Sequence, residues 1–351
     1  MRKLLYILII ISSGFGILEL LANLAIQSSF VNRAAYIPKG YLDFYQENYS
    51  TLHHLRDVNK ATHIESKEEY IYTYLNESSD DRPVLVYLGD SWGEYYEWPN
   101  VKQSQKKFAE QRNITSIGAG ISSYAPSTIT SQVNLLREKF KISFSHAIVF
   151  IDQTDFGDEL CRYKNLREVV NGKVAVRPEP HESNEVYSLS YFFQKQNTLR
   201  DDGLALLNIL EATFHKFRYE MLKSKQRRCT WDEISKYLKY GATDEEKQYF
   251  LSTLHDLIKA LTSDKNLKQV LLVTHPHYKH LDNSYSFYLG DLIANADFIT
   301  QNPSVKLIDL RNQYNYKLRP EIYIEGDLAS HVRPTIYEKE LLPVLHQMLD
   351  F

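Results

Sequence analysis

Short, continuously apolar runs recur along the chain: VLVYL at 84–88, ITSIG at 114–118, HAIVFI at 146–151, QVLLVTH at 269–275 and VKLIDL at 305–310. None alternates apolar with polar residues, so none reads as a strand with one wet face. Runs of this kind fit strands buried on both sides, as in a parallel sheet covered by helices. Residues 101–112 and 127–140, lying between them, carry helical spacing. The expected fold class is α/β, a three-layer α/β/α sandwich with a mainly parallel, flavodoxin-like sheet.

The gap from 157 to 265 is longer than one crossover helix needs. It contains LALLNILEATFHKFRYEMLK and EEKQYFLSTLHDLIKAL, both helical in spacing, so a helical insertion is expected there, capping the crevice. Residues 27–82 are polar and Tyr-rich without strong periodicity and read as a stalk and irregular lead-in, leaving 83–351 as the main domain. At the N-terminus, Arg2 and Lys3 precede the uncharged run LLYILIIISSGFGIL, followed by Glu19 and LLANLAI. An apolar stretch of about 20 residues can span a bilayer, and preceding basic residues hold the N-terminus in the cytoplasm. Residues 1–26 are therefore expected to anchor a single-pass membrane protein whose remainder is periplasmic or extracellular. A cleaved signal peptide and a buried core helix are the alternatives.

The net charge of −3, from 41 basic and 44 acidic residues, offers no basic field for phosphate, so nucleic acid is excluded as an expected partner. Two cysteines, Cys161 and Cys229, leave a disulfide open and form no metal-binding spacing. His275 and His277 could hold a metal, but no carboxylate cluster accompanies them in the sequence. No metal and no cofactor are expected.

Ligand sites of open parallel sheets gather at the carboxyl ends of the strands. Here those ends carry GDSW, AGISSY, DQTD and HPHY. Near the C-terminus, EGDLASHVRP places Asp327 and His331 in a loop ahead of an apolar helix. Asp can orient an imidazole that in turn activates Ser91, an arrangement needed because a serine hydroxyl is a weak nucleophile at its free pKa.

The blocks LGDSWG and GDLASH, with the loop GAGISSYAP between them, make residues 84–350, apart from the long insertion, resemble the SGNH (GDSL-type) hydrolase superfamily. Its members are serine esterases, lipases, polysaccharide deacetylases and O-acetyltransferases. The resemblance implies Ser91 as nucleophile, His331 as base and Asp327 as its orienting partner, with Glu325 the nearest substitute for Asp327. It implies an oxyanion hole from Ser91, Gly120, Ser123 and Thr154. Two departures stand out. The family's Gly-x-Asn-Asp is Asp152-Gln153-Thr154-Asp155 here, and its Asp-x-x-His is one residue longer. Trp92, Tyr124, Asp155 and His277 are expected to face substrate, and Tyr95, Tyr96 and Trp98 supply further rings able to stack on sugars. The expected partner is an acylated carbohydrate or other ester. A binding protein that has lost the chemistry, and a membrane-associated lipase, are the rival readings.

Overall fold

The computed structural model describes residues 2–27, 67–79, 81–176, 229, 231–280, 284–313 and 320–351. The chain divides into two units, residues 1–49 with 178–227 and residues 50–177 with 228–351. In the first unit, α1 (Arg2–Gln27) is one uninterrupted helix, where the anchor is expected. Among the described residues, no helix is long and apolar enough to cross a membrane. Of the side chains at 4–11, which dominate the anchor expectation, only that of Tyr6 is among those described.

The second unit is built on a six-stranded sheet. Its strands are β1 (Thr73–Tyr74), β2 (Val84–Leu88), β3 (Thr115–Gly118), β4 (His146–Phe150), β7 (Gln269–Thr274) and β8 (Val305–Asp309). The spatial order is β1-β3-β2-β4-β7-β8, parallel throughout except for β1, which pairs antiparallel with β3. Without β1 this is the doubly wound order 2-1-3-4-5, whose switch point lies between the first and third strands. Here that point is the gap beyond the ends of β2 and β4.

The apolar runs become strands because both faces are covered. Leu85, Tyr87, Ile148, Phe150, Leu271 and Val273 pack with Val101 and Ala109 of α2 (Pro99–Arg112) and with Leu342 and Leu345 of α7 (Leu342–Gln347). The residues of opposite parity, Val86, Leu88, Ala147, Val149, Val270 and Leu272, are equally buried, as a period of two requires. Next to them in the chain, α3 (Pro126–Glu138) packs on α6 (Asp244–Thr262).

Two expectations need correction. The lead-in 27–82 is not wholly irregular, because Thr73 and Tyr74 form the sheet edge; residues 28–66 lie outside the described residues. The insertion 157–265 is not simply helical. It begins with a π-helical turn (Glu159–Tyr163) and an antiparallel hairpin of β5 (Arg167–Val170) and β6 (Lys173–Val176). It ends with α5 (Trp231–Tyr240) and with α6, which is the crossover helix into β7. The segment LALLNILEATFHKFRYEMLK lies outside the described residues. Cys161 and Cys229 form a disulfide, with Cα atoms 5.7 Å apart.

Candidate active site

β2 ends at Gly89, whose φ of +129° belongs to glycine and whose missing Cβ lets the chain pass against Phe150; an added Cβ would lie 2.7 Å from the Phe150 carbonyl oxygen. This close passage delivers Asp90 and Ser91 to the switch point. The second block lies against the same strand end, with Ala119 N–H donating to the Tyr87 carbonyl (2.8 Å) and Ile121 N–H to that of Gly89 (3.0 Å). The third block arrives from β4. It opens α4 (Gln153–Asp158), where Asp152 is the N-cap and accepts from the N–H groups of Thr154 and Asp155.

The C-terminal loop closes the constellation. The Oγ of Ser91 and the Nε2 of His331 are 2.5 Å apart, and His331 Nδ1 and Asp327 Oδ2 are 2.6 Å apart. Ser91 is also 3.2 Å from Asp90 Oδ2. Asp327 accepts N–H donation from Ala329 (3.2 Å) and His331 (2.6 Å) as well. Partial burial pushes its carboxyl up, but the hydrogen bonds from His331 and the loop amides outweigh that and leave it below the ordinary carboxylate value. Glu325 is exposed and takes no part. The sequence separation from Ser91 to His331, 240 residues, is thus closed to one hydrogen bond.

The expected oxyanion donors are placed unevenly. Gly120 lies against Gly93, and its carbonyl accepts from the Tyr96 hydroxyl (3.0 Å). Ser123 adopts φ +64° and its carbonyl accepts from the Tyr163 hydroxyl (2.6 Å). Thr154 corrects the expectation: its hydroxyl donates to Asp152 Oδ1 at 2.6 Å, so its one proton is committed inside the protein.

The four expected substrate-facing residues are all buried. Trp92 donates its indole N–H to Asp152 Oδ2 (3.1 Å) and lies 3.9 Å, centroid to centroid, from the buried His275 ring. Tyr124 is closed off inside the second block, its N–H on the Ile121 carbonyl. Asp155 Oδ2 accepts from the Asp152 N–H, completing the capping box of α4. His277 holds the Leu328 carbonyl through Nε2 at 2.9 Å. Of the rings after the nucleophile, Tyr95 and Tyr96 are buried too, and Trp98 alone is substantially exposed, at 49%.

What the sequence did not announce is the convergence of three carboxylates beside Ser91. Asp90, Asp152 and Asp155 bring carboxylate oxygens within 4.8 Å of one another, all buried. Asp152 accepts from Thr154 N–H, Thr154 Oγ–H, Asp155 N–H and Trp92 Nε1–H, so protein donors engage both of its oxygens. Burial first, then mutual repulsion, raises Asp90 and Asp155 well above the ordinary value. Asp158, one turn on, is pushed up to about 7 by burial, which outweighs the Arg162 guanidinium 2.8 Å away. A folded-state pKa above the unfolded one adds stability below the unfolded value and loses it as pH rises through the folded value. The contribution of this carboxyl to the unfolding free energy therefore falls from about pH 4 to about pH 7, against the rise that the buried imidazoles of His277 and His346, held down to about 4 and about 3, contribute in the same window. Denaturant titrations of wild type and Asp158→Asn in parallel should show the stability difference, wild type minus variant, falling across that window.

No protein-family model matches this chain, and no curated protein matches it.

Proposed function

We propose that this protein is a serine-dependent ester hydrolase or O-acyltransferase of SGNH type. The observation that carries the reading is the unbroken hydrogen-bond chain Ser91 Oγ, His331 Nε2, His331 Nδ1, Asp327 Oδ2 at the switch point of a parallel sheet. Ser91 Oγ attacks the acyl carbonyl as His331 Nε2 takes its proton. The tetrahedral oxyanion is held by backbone N–H donors of the nucleophile turn and second block, and its collapse expels the alcohol, protonated by His331. Water or a sugar hydroxyl then attacks the acyl-enzyme, with His331 again the base.

The site faces an oxidising compartment in this reading, supported by the Cys161–Cys229 disulfide, since such bonds persist outside the cytoplasm. The basic start and apolar run of residues 2–18 support attachment to the membrane there. An O-acetylated cell-surface polysaccharide is the substrate class we favour, with Trp98 the exposed ring available to a sugar. The second reading, a carbohydrate-binding or assembly protein without chemistry, is favoured by one observation: the Thr154 hydroxyl is spent on Asp152, leaving no side-chain oxyanion donor in the third block. Loss of one such donor typically costs about 10²–10³ in turnover.

A fluorophosphonate probe with peptide mapping tests the choice. We expect one label, on Ser91, together with release of p-nitrophenol from p-nitrophenyl acetate; acceleration by added polysaccharide would identify transfer. A folded protein that takes no label and releases no p-nitrophenol would leave the binding reading in its place.

A further inference from the structure

The loop from Asp327 to His331 is one residue longer than the Asp-x-x-His of the superfamily this chain resembles. The extra length is taken up in a curl. Ser330 sits in the left-handed region at φ +63°, its N–H reaches back to the Asp327 carbonyl (3.3 Å), and the Asp327 carboxylate accepts from two amides of the same curl. A non-glycine residue in that region is held there by its surroundings.

Those surroundings act at two points. On one side, the exit loop of β7 supplies His277, whose Nε2–H donates to the Leu328 carbonyl at 2.9 Å while Nδ1 accepts the Lys279 N–H at 3.2 Å. Both ring nitrogens are thereby assigned, and burial holds this imidazole down to about 4, so it is neutral at pH 7. The adjacent Tyr278 N–H donates to Ser330 Oγ (3.1 Å). On the other side, the turn after the nucleophile supplies Tyr95, whose hydroxyl donates to the Val332 carbonyl at 2.5 Å. Its ring stacks on Tyr337 at 4.1 Å, and Tyr337 bonds to the Trp92 carbonyl (3.1 Å). Leu328 and Val332 are the residues immediately after Asp327 and His331. Two buried side chains from different elements thus each grip the carbonyl following one member of the pair.

We propose that His277 and Tyr95 are positioning residues that hold the lengthened Asp327–His331 curl in the register where Nδ1 meets Asp327 and Nε2 meets Ser91. The inference rests on the serine-hydrolase reading for its consequence, but its geometry can be measured without substrate. The other titratable groups bearing on His331 are Asp152 and His275; those bearing on His277 are His275, His280, Lys279 and Asp327. None of these is altered in the test.

The test is histidine-labelled NMR on the full chain, with the His331 ring signals assigned by their loss in His331→Ala. In wild type the Nδ1 proton shared with Asp327 should resonate far downfield. Tyr95→Phe, which keeps the ring stack, and His277→Leu should each weaken that signal, because the carboxylate contact loosens. His277→Gln, whose amide nitrogen can stand where Nε2 stood, should restore it. In turnover, the first two variants should lose about tenfold in kcat with KM within about twofold. Should His277→Leu fail to fold, Tyr95→Phe decides. An unchanged downfield proton in folded Tyr95→Phe and His277→Leu would overturn the proposal. If the NMR effects appear but wild type shows neither label nor turnover, the positioning stands and the hydrolase reading falls.

Discussion

Ser91→Ala is expected to abolish ester turnover, by about 10⁴-fold or more, while leaving the fold intact. The hydroxyl is the only atom lost, and its two contacts are His331 Nε2 at 2.5 Å and Asp90 Oδ2 at 3.2 Å. Neither partner is left stranded. His331 keeps Asp327, and Asp90 keeps the Trp92 N–H at 2.9 Å. The change in stability should therefore stay within about 0.5 kcal/mol. Paired measurements decide the matter: p-nitrophenyl acetate kinetics and a denaturant midpoint on the same preparations. Turnover surviving in a folded Ser91→Ala protein would remove the nucleophile from the proposed mechanism.

Gly120→Ala should be the most destabilising small substitution in the domain. A Cβ there would stand 2.0 Å from the Gly93 carbonyl carbon and 2.4 Å from the Glu94 nitrogen. Both are backbone atoms of the turn that follows Ser91, so no side chain can swing aside. Relief requires separating the second block from the nucleophile turn, which also breaks the Tyr96 hydroxyl bond to the Gly120 carbonyl. A loss of about 3 kcal/mol is expected, at the upper end for overpacking, with activity falling alongside because the displaced turn carries Ser91. Gly172→Ala is the control. Its Cβ would meet nothing within 4 Å, and only its φ of +77° opposes the change, about 1 kcal/mol. Equal midpoints for the two variants would show that the blocks are not packed as described.

The parts legible in the sequence were those that depend on chain position. Five strands announced themselves as short apolar runs, four of them buried and the fifth, β8, at the sheet edge with Lys306 exposed. The crevice rule gathered GDS with the exits of the other buried strands, and triad chemistry joined the Asp327–His331 loop to them. β1 escaped because a two-residue strand has no periodicity to detect. The helix Asp244–Thr262 was assigned to an insertion because its amphipathic face does not say which surface it covers; packing on Pro126–Glu138 does. The burial of the four residues expected to face substrate was illegible for a different reason. Standing just after a strand fixes where a backbone goes, not where its side chain points, and Trp92, Tyr124, Asp155 and His277 all turn inward. The longer Asp-to-His spacing was legible as a departure, but its remedy, Ser330 at φ +63° between two carbonyl grips, depends on residues some 50 and 230 positions away.

The Cys161–Cys229 bond bridges 68 positions of sequence, and those positions include all of the 178–227 segment of the first unit. The ends of that segment are therefore tied to the second unit independently of the peptide backbone. A protease that cut once anywhere between the two cysteines would produce a nicked molecule, not two products, and neither half of the Ser91/His331 pair could drift from the other until the thiols were reduced.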